Sequence, residues 1–172
     1  MDALIGPDVD LALLLLRVLV GVTFSLHGFQ KLLGWFGGGG LDGTAAWFRG
    51  LGFGDGRSAA VLAGTGEIAG GLGLALGLLT PLSALAMVGT MTTAALVNRA
   101  EAGFWSVNKG WELNGYLIVV AATLAVAGPG AYSLDHLLGL ERWAGPLPGG
   151  AAVLLGVLGG WARWATRRPP AG

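Results

Sequence analysis

The chain has 172 residues, of which 53% are hydrophobic and only 12% are charged. Soluble domains carry about 25% charged residues, so this composition excludes disorder and argues against an ordinary soluble domain. Ten basic and ten acidic side chains cancel, which leaves no positive surplus for binding nucleic acid. Cysteine is absent, which excludes disulfides, iron–sulfur clusters and thiol chemistry. Together with 33 glycines, these numbers predict a small all-α membrane protein, a bundle of transmembrane helices.

Five apolar segments are candidates for crossing a bilayer, which requires about 20 apolar residues per helix. In chain order they are residues 11–33, 58–79, 82–98, 113–127 and 147–165. The first follows an acidic flank and lacks a small-residue cleavage site, so we interpret it as a span rather than a signal peptide. Pro81 suits the first turn of the third helix, and Pro129 ends the fourth.

The basic residues indicate an orientation for these spans. If all five segments cross, eight basic residues share one side: Lys31, Arg49, Arg57, Arg99, Lys109, Arg163, Arg167 and Arg168. The other side then holds Arg142 alone, whereas four spans would give five against four. We therefore predict five spans, with the N-terminus outside and the C-terminus in the cytoplasm. A last segment lying on the membrane surface is the alternative.

The first loop, residues 34–57, is the longest connection between the predicted spans. We expect a short helix there that carries Trp47 and Phe48 at the level of the lipid headgroups, with Asp42 or Thr44 as its cap. Glycines 66, 70, 73 and 77 are spaced as small residues that let helices approach closely.

Ionisable residues inside spans are costly and therefore mark candidate sites. They are Arg17, His27, Lys31 and Glu67, joined by Glu112 at the membrane boundary. At about 1.5 Å per residue, His27 and Glu67 lie at similar depths on adjacent helices. Helical spacing places Arg17, His27 and Lys31 on one face, which we expect to point into the bundle.

Depth alone suggests three pairs of charges. We predict that His27 or Lys31 pairs with Glu67, that Lys31 pairs with Glu112, and that Arg17 pairs with Asp135. A functional interpretation assigns proton handling to His27 and Glu67. The alternative is that these residues only hold helices together, and for Arg17 with Asp135 this structural interpretation is preferred. No metal site is predicted, and His27 and His136 fall on opposite sides, which argues against a haem held by two histidines.

Several motifs resemble the DoxX family. The first is the stretch from Arg17 through His27 to Lys31, which reads RVLVGVTFSLHGFQK. FRGLG at 48–52, GEIAGG at 66–71, LGLLTP at 76–81 and GPGAYSLD at 128–135 complete the match. Together they cover residues 11–138 and are fairly specific, whereas each alone would be weak.

The resemblance implies a four-helix transmembrane bundle linked to membrane redox work. One branch of the family is similar to the small subunit of a thiosulfate:quinone oxidoreductase, and another is associated in actinobacteria with a membrane complex that handles oxidative stress. Most members have no demonstrated activity. This chain departs from the pattern by adding the segment from Leu147 onward and by lacking cysteine, so any sulfur relay would come from a partner.

We therefore predict a DoxX-like domain over residues 1–140 and an extra apolar segment with a basic tail over 141–172, in a bacterial inner membrane. The leading hypothesis is an accessory subunit of a membrane oxidoreductase that binds or protonates a quinone, without a covalently held cofactor. Arg17, Lys31 and Glu112 would line its polar pocket together with the proton-handling pair, His27 and Glu67, and Lys31 would lie near a quinone oxygen. A non-catalytic scaffold or assembly factor and a small-solute transporter are the alternatives; the lack of an inverted repeat counts against the transporter. Catalytic activity, partner and homo-oligomeric state are left open.

Overall fold

The computed structural model describes residues 7–168, and all regular elements within this range are helices. Seven α-helices follow one another: α1 Pro7–Leu33, α2 Gly40–Gly50, α3 Arg57–Leu76, α4 Thr80–Ala102, α5 Glu112–Ala127, α6 Leu134–Leu137 and α7 Pro146–Ala165. Short 3-10 turns lie at Trp35–Gly37, Ser106–Asn108 and Glu141–Trp143. The predicted all-α bundle is confirmed, and the five predicted apolar segments coincide with α1, α3, α4, α5 and α7 to within a few residues.

The five long helices pack side by side, with α1 against α3, α3 against α4, and both α5 and α7 against α4. Their shared core contains Phe24, Leu74, Met87 and Leu124, all almost fully buried. The connections alternate between two ends of this bundle. We call them the α2 end, which also holds the α4–α5 loop, and the α6 end, which also holds the α3–α4 turn. Many large apolar side chains point outward along the helices, as the lipid-facing surface of a membrane protein requires.

Among the described residues, three helices are long and apolar enough to span a membrane by length and composition: Asp8–Leu33, Arg57–Leu76 and Thr80–Ala102. Helix α5 is also apolar but has only 16 residues. Helix α7 is not among the three, so its membrane crossing stays a prediction.

Glycine lets α1 and α3 approach each other closely. A Cβ atom added to Gly21 would collide with the backbone of Gly71, and one added to Gly28 would lie 2.6 Å from the carbonyl oxygen of Gly64. Helices that lack side chains at their crossing can pack backbone to backbone, which is a common way to associate in lipid. These two α1 glycines were not among the helix contacts predicted from the sequence.

The four glycines predicted as helix contacts divide into two groups. Gly66, Gly70 and Gly73 do face α4, where a Cβ on Gly70 would lie 3.0 Å from the Cβ of Ala86. Gly77 instead ends α3 in the left-handed conformation, with φ of 63°. Leu78 N–H then donates to the Gly73 carbonyl at 2.8 Å, as in a glycine-terminated helix. Span 58–79 therefore ends earlier than predicted, at Leu76.

The short helix predicted in the first loop is present as α2, and it carries Trp47 and Phe48. Its predicted caps are wrong, because Gly39 occupies the N-cap without a side-chain bond. The two candidate residues make other contacts instead. Asp42 pairs with Arg57 at 2.6 Å, and the Thr44 hydroxyl donates to the Lys31 carbonyl at 3.0 Å.

Helix α7 runs along the bundle from one end to the other. Gly149 near its start packs against the backbone of Ala125 in the last turn of α5, at the α6 end. Just beyond its last residue, Arg167 lies 3.8 Å from Glu101 of α4, at the α2 end. The predicted division into residues 1–140 and 141–172 stays a prediction, and its outermost parts, 1–6 and 169–172, lie outside the described residues.

Small residues form the contact between α4 and α7. Gly149, Ala152, Gly156 and Gly160 are buried on one side of α7, and the Thr93 hydroxyl of α4 donates to the Gly160 carbonyl at 3.1 Å. We expect Gly160→Leu to lower the free energy of unfolding by about 2–3 kcal/mol, because its side chain would meet the Gly89 backbone. Gly159→Leu is the matched control, since a Cβ added there would meet no other described residue within 4 Å. Equal stability of the two variants in a detergent melting experiment would refute this packing.

Single cysteines can test the predicted five spans, because the natural chain contains none. We expect Val107→Cys and Thr166→Cys to react with an impermeant thiol reagent only after the inner membrane has been permeabilised. Leu138→Cys, at the other end of the bundle, should react with an impermeant reagent added to intact spheroplasts. Labelling of Thr166→Cys from outside would show that α7 does not cross.

Candidate functional site

A buried ion pair joins α1 and α3 in the half of the bundle nearer the α2 end. The Lys31 ammonium lies 2.8 Å from Oε1 and 2.7 Å from Oε2 of Glu67. The Glu67 side chain is only 2% exposed, whereas Lys31 is 23% exposed. A carboxylate this deep in a bundle requires a compensating partner. Of the two predicted partners of Glu67, the structure selects Lys31.

The direction of side chains explains why Lys31 reaches Glu67 although it lies one turn nearer the helix end. Side chains in an α-helix lean toward its N-terminus. The long Lys31 chain therefore extends back to the level at which α1 faces Glu67. The Thr44 hydroxyl of α2 binds the Lys31 carbonyl and fixes this last turn of α1 from outside.

His27 lies at the depth expected for a partner of Glu67, but its side chain does not point into the bundle. At 100° per residue, Lys31 lies about 40° around the helix from Arg17, and His27 lies about 80° around in the same sense. The buried face of α1 is centred between Gly28 and Gly21, so the imidazole falls outside it and is exposed. The predicted orientation of His27 into the bundle is wrong, and it makes no hydrogen bond with Glu67.

His27 is nevertheless held in place. Its Nδ1 lies 3.0 Å from Oε1 of Gln30, and the amide nitrogen of Gln30 donates to the Phe36 carbonyl at 3.2 Å. Because the Gln30 amide donates in that direction, its oxygen accepts from the imidazole. This assigns the proton of the neutral ring to Nδ1 and leaves Nε2 as an acceptor.

The predicted pair of Lys31 with Glu112 is not formed. Glu112 begins α5 and accepts a hydrogen bond from the Ser106 N–H at 3.0 Å. An acidic side chain at a helix start binds free backbone N–H groups well. Glu112 therefore stabilises the α4–α5 loop, and among the described residues it has no contact with Lys31.

Arg17 is fully buried at the α6 end, where it binds backbone carbonyls rather than an acid. Its Nη1 donates to Leu74 at 3.4 Å and to Ala75 at 3.2 Å, and its Nη2 donates to Tyr132 at 2.7 Å. Two of these carbonyls belong to the last turn of α3, which attracts a cation. Arg17 thereby ties α1 and the α5–α6 segment to the end of α3.

Asp135 binds hydrogen-bond donors at the start of α4, whereas Arg17 binds carbonyl acceptors at the end of α3. Its carboxylate accepts from the N–H groups of Leu79 at 2.7 Å and Thr80 at 2.9 Å, and from the Thr80 hydroxyl at 2.7 Å. It thus caps α4 from a remote part of the chain. The predicted direct ion pair of Arg17 with Asp135 is not formed, although both lie around the α3–α4 turn.

The five residues expected to form one pocket are therefore separated in the structure. They lie in two clusters, and Glu112 makes a contact in the α4–α5 loop. Lys31 and Glu67 form one cluster, with His27 outside it, and Arg17 and Asp135 form part of the other. The backbone partners of Arg17 could not be found from the sequence, because carbonyl groups leave no signal in residue type. No three His, Asp or Glu residues within 7–168 lie close enough to hold a metal ion.

Comparisons with known proteins agree with the motifs. The DoxX family model matches residues 12–99, which contain α1 from residue 12 onward, α2, α3, α4 up to Arg99, and the Lys31–Glu67 pair. The chain belongs to the DoxX family. Inner membrane protein YphA of Escherichia coli (strain K12) is 30% identical over 143 residues, covering 76% of this chain and 93% of that protein. No solved structure matches the chain. This DoxX protein is a multi-pass protein of the inner membrane.

Proposed function

We propose that this DoxX-family protein is an accessory subunit of a membrane oxidoreductase system and that Lys31 binds the head group of a quinone. The observation that carries the proposal is the unequal exposure of the ion pair. Glu67 is 2% exposed and anchored, whereas its partner Lys31 is 23% exposed. Burial of one member fixes the pair, and exposure of the other makes it available to a ligand at the bundle surface.

The hydrogen-bonding capacity of Lys31 supports this role. An ammonium group has three N–H donors, and Glu67 is the only hydrogen-bond partner of this ammonium within residues 7–168. A further N–H is therefore free to donate to a carbonyl oxygen. A quinone carries such oxygens on a flat apolar ring that partitions into the bilayer, and when bound it supplies two-electron, two-proton redox chemistry.

His27 provides a second polar group on the same side of α1, one turn from Lys31. Its outward Nε2 accepts a hydrogen bond or a proton, while Gln30 holds the ring through Nδ1. We propose that Lys31 and His27 orient the head group, and that Glu67 holds the Lys31 ammonium in place. This replaces the direct proton exchange between His27 and Glu67 that the sequence suggested.

A non-catalytic scaffold is the second candidate function. It is favoured by the α6 end, where the hydrogen bonds of Arg17 within residues 7–168 all go to backbone carbonyls and Asp135 binds the start of α4. Side chains whose hydrogen bonds go to helix ends stabilise a fold and retain few hydrogen-bonding groups for a ligand. The scaffold hypothesis extends the same structural role to Lys31 and Glu67.

A quinone titration tests the proposal. The full chain in lipid nanodiscs would be titrated with a short-chain ubiquinone analogue, with tryptophan fluorescence as the readout. We expect saturable binding that His27→Ala weakens about fivefold, the effect of one hydrogen bond. His136→Ala is the matched control, since it removes an exposed histidine at the other end of the bundle. Lack of saturable binding by the parent protein would refute the proposal.

A further inference from the structure

A basic cleft lies at the α2 end, away from the Lys31–Glu67 pair. We call it the α2-end cleft. It has a volume of about 340 Å³ and is lined by Arg49, Gly52, Gly54, Thr166 and Arg168. Its walls come from the end of α2, the α2–α3 loop and the segment after α7. The Arg168 N–H donates to the Gly52 carbonyl at 2.8 Å, which fixes the loop and the C-terminal segment against each other.

Two arginines provide the charge of the cleft. Arg49 Nε donates to the Asp55 carbonyl at 3.2 Å, which orients the guanidinium group. Its two terminal nitrogens, and the guanidinium group of Arg168, make no hydrogen bond with another described residue. None of the described residues that line the cleft is acidic. The cleft therefore presents unsatisfied donors and positive charge to whatever enters it.

The acidic residues around the cleft form hydrogen bonds or ion pairs with other residues. The Asp55 carboxylate accepts from the Ser58 hydroxyl at 2.8 Å, and these bonds to Ser58 hold the pKa of Asp55 below its ordinary value. Asp42 pairs with Arg57, and Glu101 lies against Arg167. Asp42 and Glu101 therefore compensate cations outside the cleft. The charge of Arg49 also acts on the Asp55 carboxylate, but within residues 7–168 no carboxylate forms a salt bridge with Arg49 or Arg168.

Glycine keeps the cleft open. Gly52 and Gly54 have φ values of 87° and 66°, which residues with side chains rarely adopt. The loop can therefore turn sharply without placing side chains in the space between the arginines. A Cβ added to Gly54 would meet no atom of residues 7–168 within 4 Å, so there is room beside this wall among the described residues.

We propose that the α2-end cleft binds the phosphate group of an anionic phospholipid. Guanidinium groups match the geometry of phosphate oxygens and bind them with paired, charge-assisted hydrogen bonds. The cleft lies where α3 begins and α7 ends, which is the boundary level of a bundle in a bilayer. Trp47 and Trp161, each 55% exposed, lie on the helices that bound it, as side chains at headgroup level do. Basic residues at this level attract anionic lipids.

Thermal melting of the full chain in neutral detergent tests this site. Added phosphatidylglycerol should raise the melting temperature in a saturable manner, whereas phosphatidylcholine should not. The double variant Arg49→Gln/Arg168→Gln should weaken the apparent affinity for phosphatidylglycerol about tenfold. Two single variants are the controls: Arg99→Gln removes an exposed arginine at the same end, and Arg142→Gln removes one at the opposite end.

The outcomes separate the possible sources of phosphate. Unchanged affinity in the double variant, or an equal loss in Arg99→Gln, would overturn the assigned site. Equal binding of phosphatidylcholine would overturn the preference for an anionic lipid. Inorganic phosphate forms a separate arm of the experiment. If it saturates the cleft through the same two arginines while phosphatidylglycerol does not bind, the lipid proposal is refuted in favour of a free anion.

Discussion

Replacing Lys31 with methionine is expected to lower the free energy of unfolding by about 3 kcal/mol. The substitution removes the only hydrogen-bond partner of the Glu67 side chain in the described structure, and that side chain is 2% exposed. A buried carboxylate without its cation costs several kcal/mol or must take up a proton. The measurement is a melting or denaturant titration of the full chain in a mild detergent, together with the folded yield.

Replacing the other member of the pair, Glu67, gives the matched control for this prediction. Glu67→Gln leaves an unpaired ammonium, but Lys31 is already 23% exposed and can extend toward water along its flexible chain. We expect Glu67→Gln to cost about half as much as Lys31→Met, and Lys31→Met/Glu67→Leu to recover much of the loss. Equal destabilisation by both single variants would contradict the unequal burial of the pair.

Replacing Arg17 with methionine is expected to be the other strongly destabilising change, again by about 3 kcal/mol. It removes the donors to Leu74, Ala75 and Tyr132. The Leu74 carbonyl keeps the Gly77 N–H at 3.1 Å, whereas the carbonyls of Ala75 and Tyr132 lose their hydrogen-bond partner among the described residues. The α5–α6 segment would lose its link to the end of α3. Asp135 would also lose the nearby positive charge. The same detergent unfolding experiment provides the measurement.

Two further substitutions serve as comparisons for Arg17→Met. Arg17→Lys keeps the charge but replaces a planar fork by one ammonium, which cannot span all three carbonyls, so we expect an intermediate loss. Arg142→Gln removes an exposed arginine near the same end and should change stability by less than about 0.5 kcal/mol. An Arg17→Met protein as stable as the Arg142→Gln protein would show that the buried guanidinium is not needed for folding.

The sequence predicted the helices well because their signals are local. Apolar runs, Pro81 at the start of α4 and Pro129 after α5 indicate where the helices lie, and these signals do not depend on the rest of the fold. The interfaces were less predictable. Gly77 belongs to a pattern that suggests a helix contact, yet it ends α3, because its left-handed conformation lets the chain turn toward α4.

The candidate site was predicted in part. Depth along the helices brought Glu67 close to the correct part of α1, and spacing placed Arg17 and Lys31 near its buried face. Spacing could not place His27, because a difference of about 40° around α1 separates a side chain that reaches the interior from one that does not. Hydrogen bonds to backbone carbonyls, which hold Arg17, cannot be deduced from the identity of their partners.

The two polar clusters show how differently similar charges can be used. At the α6 end, Arg17 and Asp135 bind helix ends, and both are almost fully buried. In the α2 half of the bundle, Lys31 and Glu67 bind each other, and one of them reaches the surface. Because of this contrast, we propose a structural role for the first cluster and a ligand-binding role for the second.

The proposed binding role of the ion pair is tested most directly by a quinone titration of Lys31→Met/Glu67→Leu beside the parent protein. Both would be measured as full chains in nanodiscs, with their unfolding free energies determined in parallel. We predict saturable binding to the parent and at least tenfold weaker binding to the double variant, at comparable stability. Equal quinone affinity in the two proteins would contradict the proposal and leave the pair with a structural role alone.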